Sequence, residues 1–291
     1  MAGVRDDAIR YNFTNNLMPG ANYGARNETR SFSHTSPKLG ATYSISKESS
    51  VYTNISQGFT PPEVSSLYGV AAIPDLKAAT YNNYEVGARI AFLDGALKLD
   101  SALYQLDGQD TILSYTIAPG NSVNRNAGST RSQGLELGLN WTGDKFDARF
   151  GTTIAKHTFV SYQVSSTLDY SGKEMPQAPS NITTAEIGYK PVSNVRVALE
   201  MVQQGAYWMN NANTVRYDGH RLFNLRGSYE FARGWEAWLQ GRNLTDQRYS
   251  DSASSSYSGV GAYAPNTQNT YTVGAPRSVM VGATYTFDGK K

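Results

Sequence analysis

With 291 residues, 17% of them charged and a formal net charge of +2, the chain is rich in Tyr (20) and Gly (27) and has no Cys. So small a charge, with no run of Lys or Arg, excludes the electrostatic stripe that nucleic acid requires, and the missing cysteine excludes disulfides, thiolate zinc clusters and a thiol nucleophile. No stretch nears the roughly 20 consecutive apolar residues of a membrane-spanning helix, although a mean hydropathy of -0.46 is compatible with a membrane β-barrel, where only alternate residues face lipid.

The length allows one large domain or two ordinary ones. Aromatics with abundant Asn and Ser favour twisted β-structure with polar turns. The opening, Met1-Ala2-Gly3-Val4-Arg5-Asp6-Asp7, lacks the apolar core of a signal peptide, so either a leader is missing or the protein stays inside. Residues 1–30 read as an outer loop, with at most a strand remnant around Ile9 to Phe13.

The first full strand is Phe32 to Ile45, with Leu39, Ala41, Tyr43 and Ile45 on one face. Tyr84, Val86, Ala88, Ile90 and Phe92 then alternate with Glu85, Gly87 and Arg89; Leu135, Leu137, Leu139 and Trp141 alternate with Glu136, Gly138 and Asn140. Phe146 to Ile154 and Val195 to Met201 repeat the pattern. Phe223, Leu225, Gly227, Tyr229 and Phe231 oppose Asn224, Arg226, Ser228 and Glu230, and a tight Ala232-Arg233-Gly234 hairpin leads to Trp235, Ala237, Leu239 and Gly241. Val279 to Phe287 closes the series. A helical period would put Arg226 and Glu230 on the face of Phe223, so the strand reading fits better. The expectation is an all-β chain of about eleven antiparallel transmembrane strands, part of a larger barrel.

Connections alternate in length. Short turns fall at Ser46 to Ser50, Leu93-Asp94-Gly95, Gly143-Asp144 and Pro191 to Ser193; long loops fall at roughly 60–79, 108–128, 159–177, 207–218 and 247–275. Outer-membrane barrels have this asymmetry, short periplasmic turns and long extracellular loops, whereas a soluble sandwich has no reason for it. Tyr43, Phe59, Trp141, Tyr189, Trp235 and Phe287 are candidates for interfacial girdles; a sandwich core would bury the same rings. The last strand then ends in the periplasm while the first descends from outside. An open sheet edge costs several kcal/mol per unpaired group in lipid. Both points predict that the chain is the C-terminal part of a larger barrel, unless residues 1–30 supply a strand that closes a small one.

Gly58-Phe59-Thr60-Pro61-Pro62-Glu63-Val64-Ser65-Ser66-Leu67-Tyr68-Gly69 resembles the strand-exit motif of TonB-dependent receptors. Tyr84-Glu85-Val86-Gly87 and Arg131-Ser132-Gln133-Gly134-Leu135-Glu136-Leu137 are similar to two of that family's strands. Gly241-Arg242-Asn243-Leu244-Thr245-Asp246-Gln247-Arg248-Tyr249 resembles its asparagine-leucine, aspartate, tyrosine box, and Gly274-Ala275-Pro276-Arg277-Ser278 its entry to the last strand. The resemblance covers nearly the whole chain and is to the C-terminal half of the receptor barrel. It implies a bacterial outer-membrane barrel of about 22 strands, filled by an N-terminal plug preceded by a TonB-binding box, both absent from these residues. Phe287 would be the terminal aromatic of the assembly signal, here followed by Asp288-Gly289-Lys290-Lys291.

The resemblance further implies uptake of a ferric siderophore, with cobalamin, haem and glycans as less common cargoes. Partners would be TonB, through the plug and box, and outer-membrane lipid. The siderophore itself holds iron, so no protein metal ligand, cofactor or catalytic residue is expected. Tyr115, Arg125, Trp208, Tyr257 and Tyr263 are the candidate ligand contacts, within a wider set of Arg131, Tyr170, Tyr217 and Tyr271. Aromatics and Arg suit a large, often anionic chelate through stacking and charge-assisted hydrogen bonds; the alternative is that these rings only pack the loops. Glu85, Arg89, Glu136, Arg149, Arg226, Glu230 and Arg242 face the lumen, against a plug or as cross-strand ladders. His34, His157 and His220 lie far apart at outer strand ends, against the short spacing of a metal site. No glycine-flanked serine elbow occurs. A passive porin, an adhesin and a lipid-modifying enzyme on the same scaffold remain alternatives at this point.

Overall fold

A computed structural model describes residues 1–16, 27–68, 74–118 and 121–287. In chain order its strands are β1 (Ala2–Phe13), β2 (Glu28–Ser44), β3 (Ser50–Thr60), β4 (Ala79–Phe92), β5 (Leu97–Ala118), β6 (Asn121–Thr142), β7 (Phe146–Ser161), β8 (Asn181–Tyr189) and β9 (Val195–Gln204). The short β10 (Tyr207–Trp208) and β11 (Arg216–Tyr217) follow, then β12 (His220–Ala232), β13 (Trp235–Arg242), β14 (Ser250–Ser255), β15 (Asn269–Val273) and β16 (Ser278–Tyr285). Two single-turn helices, α1 (Val64–Tyr68) and α2 (Pro265–Gln268), sit in outer connections. Twelve strands make one antiparallel sheet, each beside its chain neighbour, with β1 and β16 at its edges; β10 pairs with β11, and β14 with β15.

The sheet has one strand more than the expected eleven because residues 2–13 are all strand, where only a remnant near Ile9 to Phe13 is legible. β1 pairs with β2 from Ala2↔Leu39 to Phe13↔Glu28. Its outward set includes Asp6 and Arg10, so hydrophobic alternation fails there, and the strand is made by backbone pairing with β2 together with the inward rings of Tyr11 and Phe13.

Register joins the alternating faces into one surface. Leu39, Ile55 and Tyr84 are successive partners, as are Val86, Leu103, Leu135 and Ile154. Ile187, Leu199, Leu225 and Gly241 continue the face towards Val279. Many of its residues are open to the surroundings, Ile187 at 62% and Val281 at 72% exposure among them, so this apolar face belongs to no protein core. The opposite face carries the charged and amide side chains. There the Tyr52 ring covers Gly87 so closely that an added Cβ would lie 2.5 Å from the ring and 2.6 Å from the Ser101 carbonyl oxygen. Only a residue without a side chain allows that approach.

The turns at one end of the sheet are tight. Leu93 and Asp94 both have φ of 52°, and the Gly95 amide donates to the Phe92 carbonyl at 3.1 Å, a type I′ turn that matches strand twist. Gly95 itself takes φ of 87°, open to glycine at no steric cost. Rings collect at this end: Phe146 stacks on Tyr189 at 4.8 Å, Trp235 lies 4.9 Å from Tyr285, and Tyr285 lies 4.4 Å from Phe287. Tyr43 and Trp141 are also here, and Phe59 is at the opposite end. Asp288 to Lys291 lie outside the described residues.

At the opposite end the connections are long, but not all are loops. Residues 108–128, expected as a loop, are largely strand: β5 and β6 have 22 residues each and continue as one ribbon. Crossing hydrocarbon takes about 9–11 tilted residues, so about half of each strand projects outward.

Candidate functional site

The outer connections gather into two packed groups. In the first, α1 and residues 74–78 lie against the ends of β1 and β2 and the β5–β6 ribbon. Phe32, Leu67, Tyr68 and Leu76 form its buried core, and Phe13 stacks on Tyr68 at 4.2 Å. Pro61 and Pro62 end β3, and the Glu63 carbonyl accepts the Leu67 amide at 3.2 Å, which turns Leu67 and Tyr68 inward. Asn124 Nδ2 donates to the Ser66 carbonyl at 3.0 Å, and the Asn126 side chain exchanges bonds of 2.7 and 3.0 Å with the Lys77 backbone. On the ribbon, the Arg125 guanidinium lies 4.3 Å from the centre of the Tyr115 ring.

The second group joins the β7–β8, β9–β12 and β13–β16 connections. Tyr207, Met209, Val215 and Ala253 are its buried core, with Tyr217 and Tyr257 packed on it. Asparagine side chains stitch its backbones together. Asn210, 2% exposed, donates to the Tyr257 carbonyl at 2.8 Å and accepts from the amides of Thr214 and Val215 at 3.1 Å. Asn213 accepts the Glu174 amide at 2.7 Å and donates to the Glu174 carbonyl at 2.8 Å. The Tyr170 hydroxyl donates to the Ser258 carbonyl at 2.7 Å, and the Tyr207 hydroxyl accepts the Ala253 amide at 2.7 Å. Burial pushes both phenols above their ordinary value.

The five candidate contacts therefore fall in two places. Tyr115 and Arg125 are together on the ribbon of the first group. Trp208, Tyr257 and Tyr263 are in the second: Arg216 lies over the Trp208 ring at 5.9 Å, and the Tyr257 and Tyr263 rings are 5.0 Å apart. Of the wider set, Arg131 is held by Asp107 at 2.7 Å, Tyr170 is buried, and the Tyr217 hydroxyl lies 3.0 Å from His220 Nδ1. Tyr271 is exposed.

On the polar face Glu85 accepts the Tyr52 hydroxyl at 2.7 Å, and Arg89 lies 3.6 Å from its register partner Asp100. The densest cluster there was not evident from sequence. Asp147, buried, and Glu186 both hold Arg196, the Glu186 bond being 2.7 Å, across three adjacent strands. Its members are 49 and 10 residues apart, a spacing with no meaning until register is known. The Asn243 box proves to be a clamp at the head of β13. Its side chain, 3% exposed, accepts the Gln247 amide at 2.9 Å and donates to the carbonyls of Gln247 and Ala275 at 3.0 and 3.1 Å. The histidines have separate partners: Gln57 for His34, Ser132 for His157 and Tyr217 for His220.

A sequence model of the TonB-dependent receptor-like β-barrel matches residues 1–244. The chain belongs to that family. Curated relatives of this receptor-family chain include the probable TonB-dependent siderophore receptor PiuA of Acinetobacter baumannii, 24% identical over 238 residues, 76% of this chain and 31% of that protein. The ferric-pyoverdine 358 receptor of Pseudomonas putida is 25% identical over 261 residues, 86% of this chain and 29% of that one. The chain thus spans under a third of these relatives. Among solved structures, the siderophore receptor PiuA from Acinetobacter baumannii superposes with a TM-score of 0.75 at 20% identity, over 98% of this chain and 40% of that one. The unliganded ferric citrate transporter FecA gives 0.69 at 21% identity, over 89% and 39%. Members of the family are bacterial outer-membrane barrels, so the apolar face is the lipid face, the tight turns are periplasmic and the two packed groups are extracellular.

Proposed function

We propose that this chain is the C-terminal part of the barrel of a receptor that imports a ferric siderophore across the outer membrane. The observation that carries the reading is the match of residues 1–244 to the receptor barrel family, with relatives that include a probable siderophore receptor and a ferric-pyoverdine receptor. Geometry supports it: the sheet is open at β1 and β16, as expected of part of a wider barrel, whereas a small porin would need those edges paired. The plug and TonB box belong, on this reading, to receptor length outside the matched stretch, and TonB would act through them. The role is transport, in keeping with a family of transport receptors, and no catalytic residue is assigned. Tyr115, Arg125, Trp208, Tyr257 and Tyr263 are the proposed ligand contacts, from two sides of the outer mouth.

Deletion of the gene in an iron-starved culture tests the proposal. Loss of growth on one ferric siderophore, restored by the intact gene, is expected. Unchanged growth across siderophores of every chelating class counts against it.

A further inference from the structure

The extracellular rim is poor in charge and rich in rings. The connections at 60–79, 108–128, 159–177, 207–218 and 247–275 hold five cations, Lys77, Arg125, Lys173, Arg216 and Arg248, against seven carboxylates, with twelve aromatic side chains. The β1–β2 connection adds one cation, Arg26, and one ring, Tyr23. Two of the guanidiniums lie over rings, at Tyr115 and Trp208. On the strand ends below, Arg131 is taken by Asp107, and Arg30 lies between Glu28 and Asp75 at 3.7 and 3.8 Å. The connections, with six cations against seven carboxylates, offer a strongly anionic chelate no excess of positive charge to steer it. An uncharged chelate loses nothing by that.

The exposed end of the second group offers contacts of the uncharged kind. Tyr263 and Tyr271 are 42% and 51% exposed, and Asn269 Nδ2 donates to their hydroxyls at 2.7 and 3.4 Å. Tyr257 packs beside Tyr263. Asn269 is a positioning residue here: its amide nitrogen ties the two hydroxyls together, while its Oδ1 is enclosed and has no hydrogen-bond partner among the described residues.

We propose that the rim built by this chain selects a ferric chelate of little net charge, of the trihydroxamate type, and grips it with Tyr257, Tyr263 and Tyr271, the last two held in place by Asn269, rather than by ion pairs. Three hydroxamates neutralise ferric iron, whereas three catecholates leave a strongly anionic complex. The proposal rests on the siderophore-receptor reading above.

The test uses the intact receptor, purified in detergent and titrated with a ferric trihydroxamate, a ferric tris-catecholate, ferric citrate and the iron-free form of each, at low and at physiological salt. The trihydroxamate should bind at least about tenfold more tightly than either anion, a difference of about 1.4 kcal/mol, and should respond little to salt. Tyr263→Ala and Tyr271→Ala should each weaken it about tenfold, while Tyr263→Phe, which keeps the ring, retains most of the affinity. Shifted gel mobility on heating establishes that each variant barrel is folded. Tighter binding of an anionic chelate that weakens as salt rises overturns the proposal, as does a folded double variant that binds the trihydroxamate unchanged. If no ferric chelate is preferred over its iron-free form, the siderophore reading itself fails and takes this inference with it.

Discussion

Replacing Asn243 should unfasten the outer end of the sheet where β13 meets the approach to β16. The side chain is buried and makes three hydrogen bonds, to the Gln247 amide and to the Gln247 and Ala275 carbonyls. Its backbone has φ of 48°, a left-handed conformation that asparagine tolerates better than alanine. Asn243→Ala removes all three bonds, each worth about 1 kcal/mol net, and adds about 1 kcal/mol of backbone cost, so the loss should be about 4 kcal/mol. Asn243→Gly removes the same bonds without the backbone cost and should lose about 1 kcal/mol less. The bond from the Asn243 amide to Asn224 Oδ1, 2.9 Å, survives in both variants and makes the comparison clean. Urea unfolding of the assembled receptor, followed by tryptophan fluorescence, gives both values. A loss below about 1 kcal/mol for alanine, or equal losses for the two variants, would refute the clamp. Because the clamp anchors residues 247–275, affinity for the chelate should fall with stability.

Gly87→Ala should force a Cβ between the Tyr52 ring and the Ser101 backbone and cost about 1–3 kcal/mol, read by the same unfolding; pairing it with Tyr52→Ala should recover most of that. Arg196→Met strands the carboxylates of Asp147 and Glu186 and should cost about 3 kcal/mol, whereas a triple variant with Asp147→Asn and Glu186→Gln should lose much less; equal losses would show that the charges are immaterial. Tyr170→Phe removes the bond to Ser258 and should loosen the second loop group by about 1 kcal/mol, seen as faster proteolysis near residue 258. Burial raises the Tyr170 phenol above its ordinary 10.0, so the protonated form is favoured in the folded state. That contribution is complete below pH 10.0 and is lost as pH rises through the folded value, so alkaline titration should open this group while the barrel persists. Ionisation of every tyrosine with the midpoint of the free side chain would contradict it.

The strand period, the two chemically distinct faces and the alternation of tight turns with long connections were legible from residue order, because each is a local property. A side chain's face follows from counting by two, and Leu93-Asp94-Gly95 announces its turn by residue type. Even so, locality failed at β1, whose outward charges hide a strand that pairing with β2 creates. It failed again at residues 108–128, where polar composition suggested a loop but two 22-residue strands support each other. Asn243 could be found as part of a motif, though not as a clamp, since its partner Ala275 is 32 residues away. The sites depend on tertiary structure still more. Tyr115 and Arg125 meet through a ribbon, Asp147, Glu186 and Arg196 through register across three strands, and Tyr170 and Ser258 through loops 88 residues apart in the chain. Hydrogen bonds and ring contacts act over a few ångströms, and only the folded backbone decides which distant residues come that near.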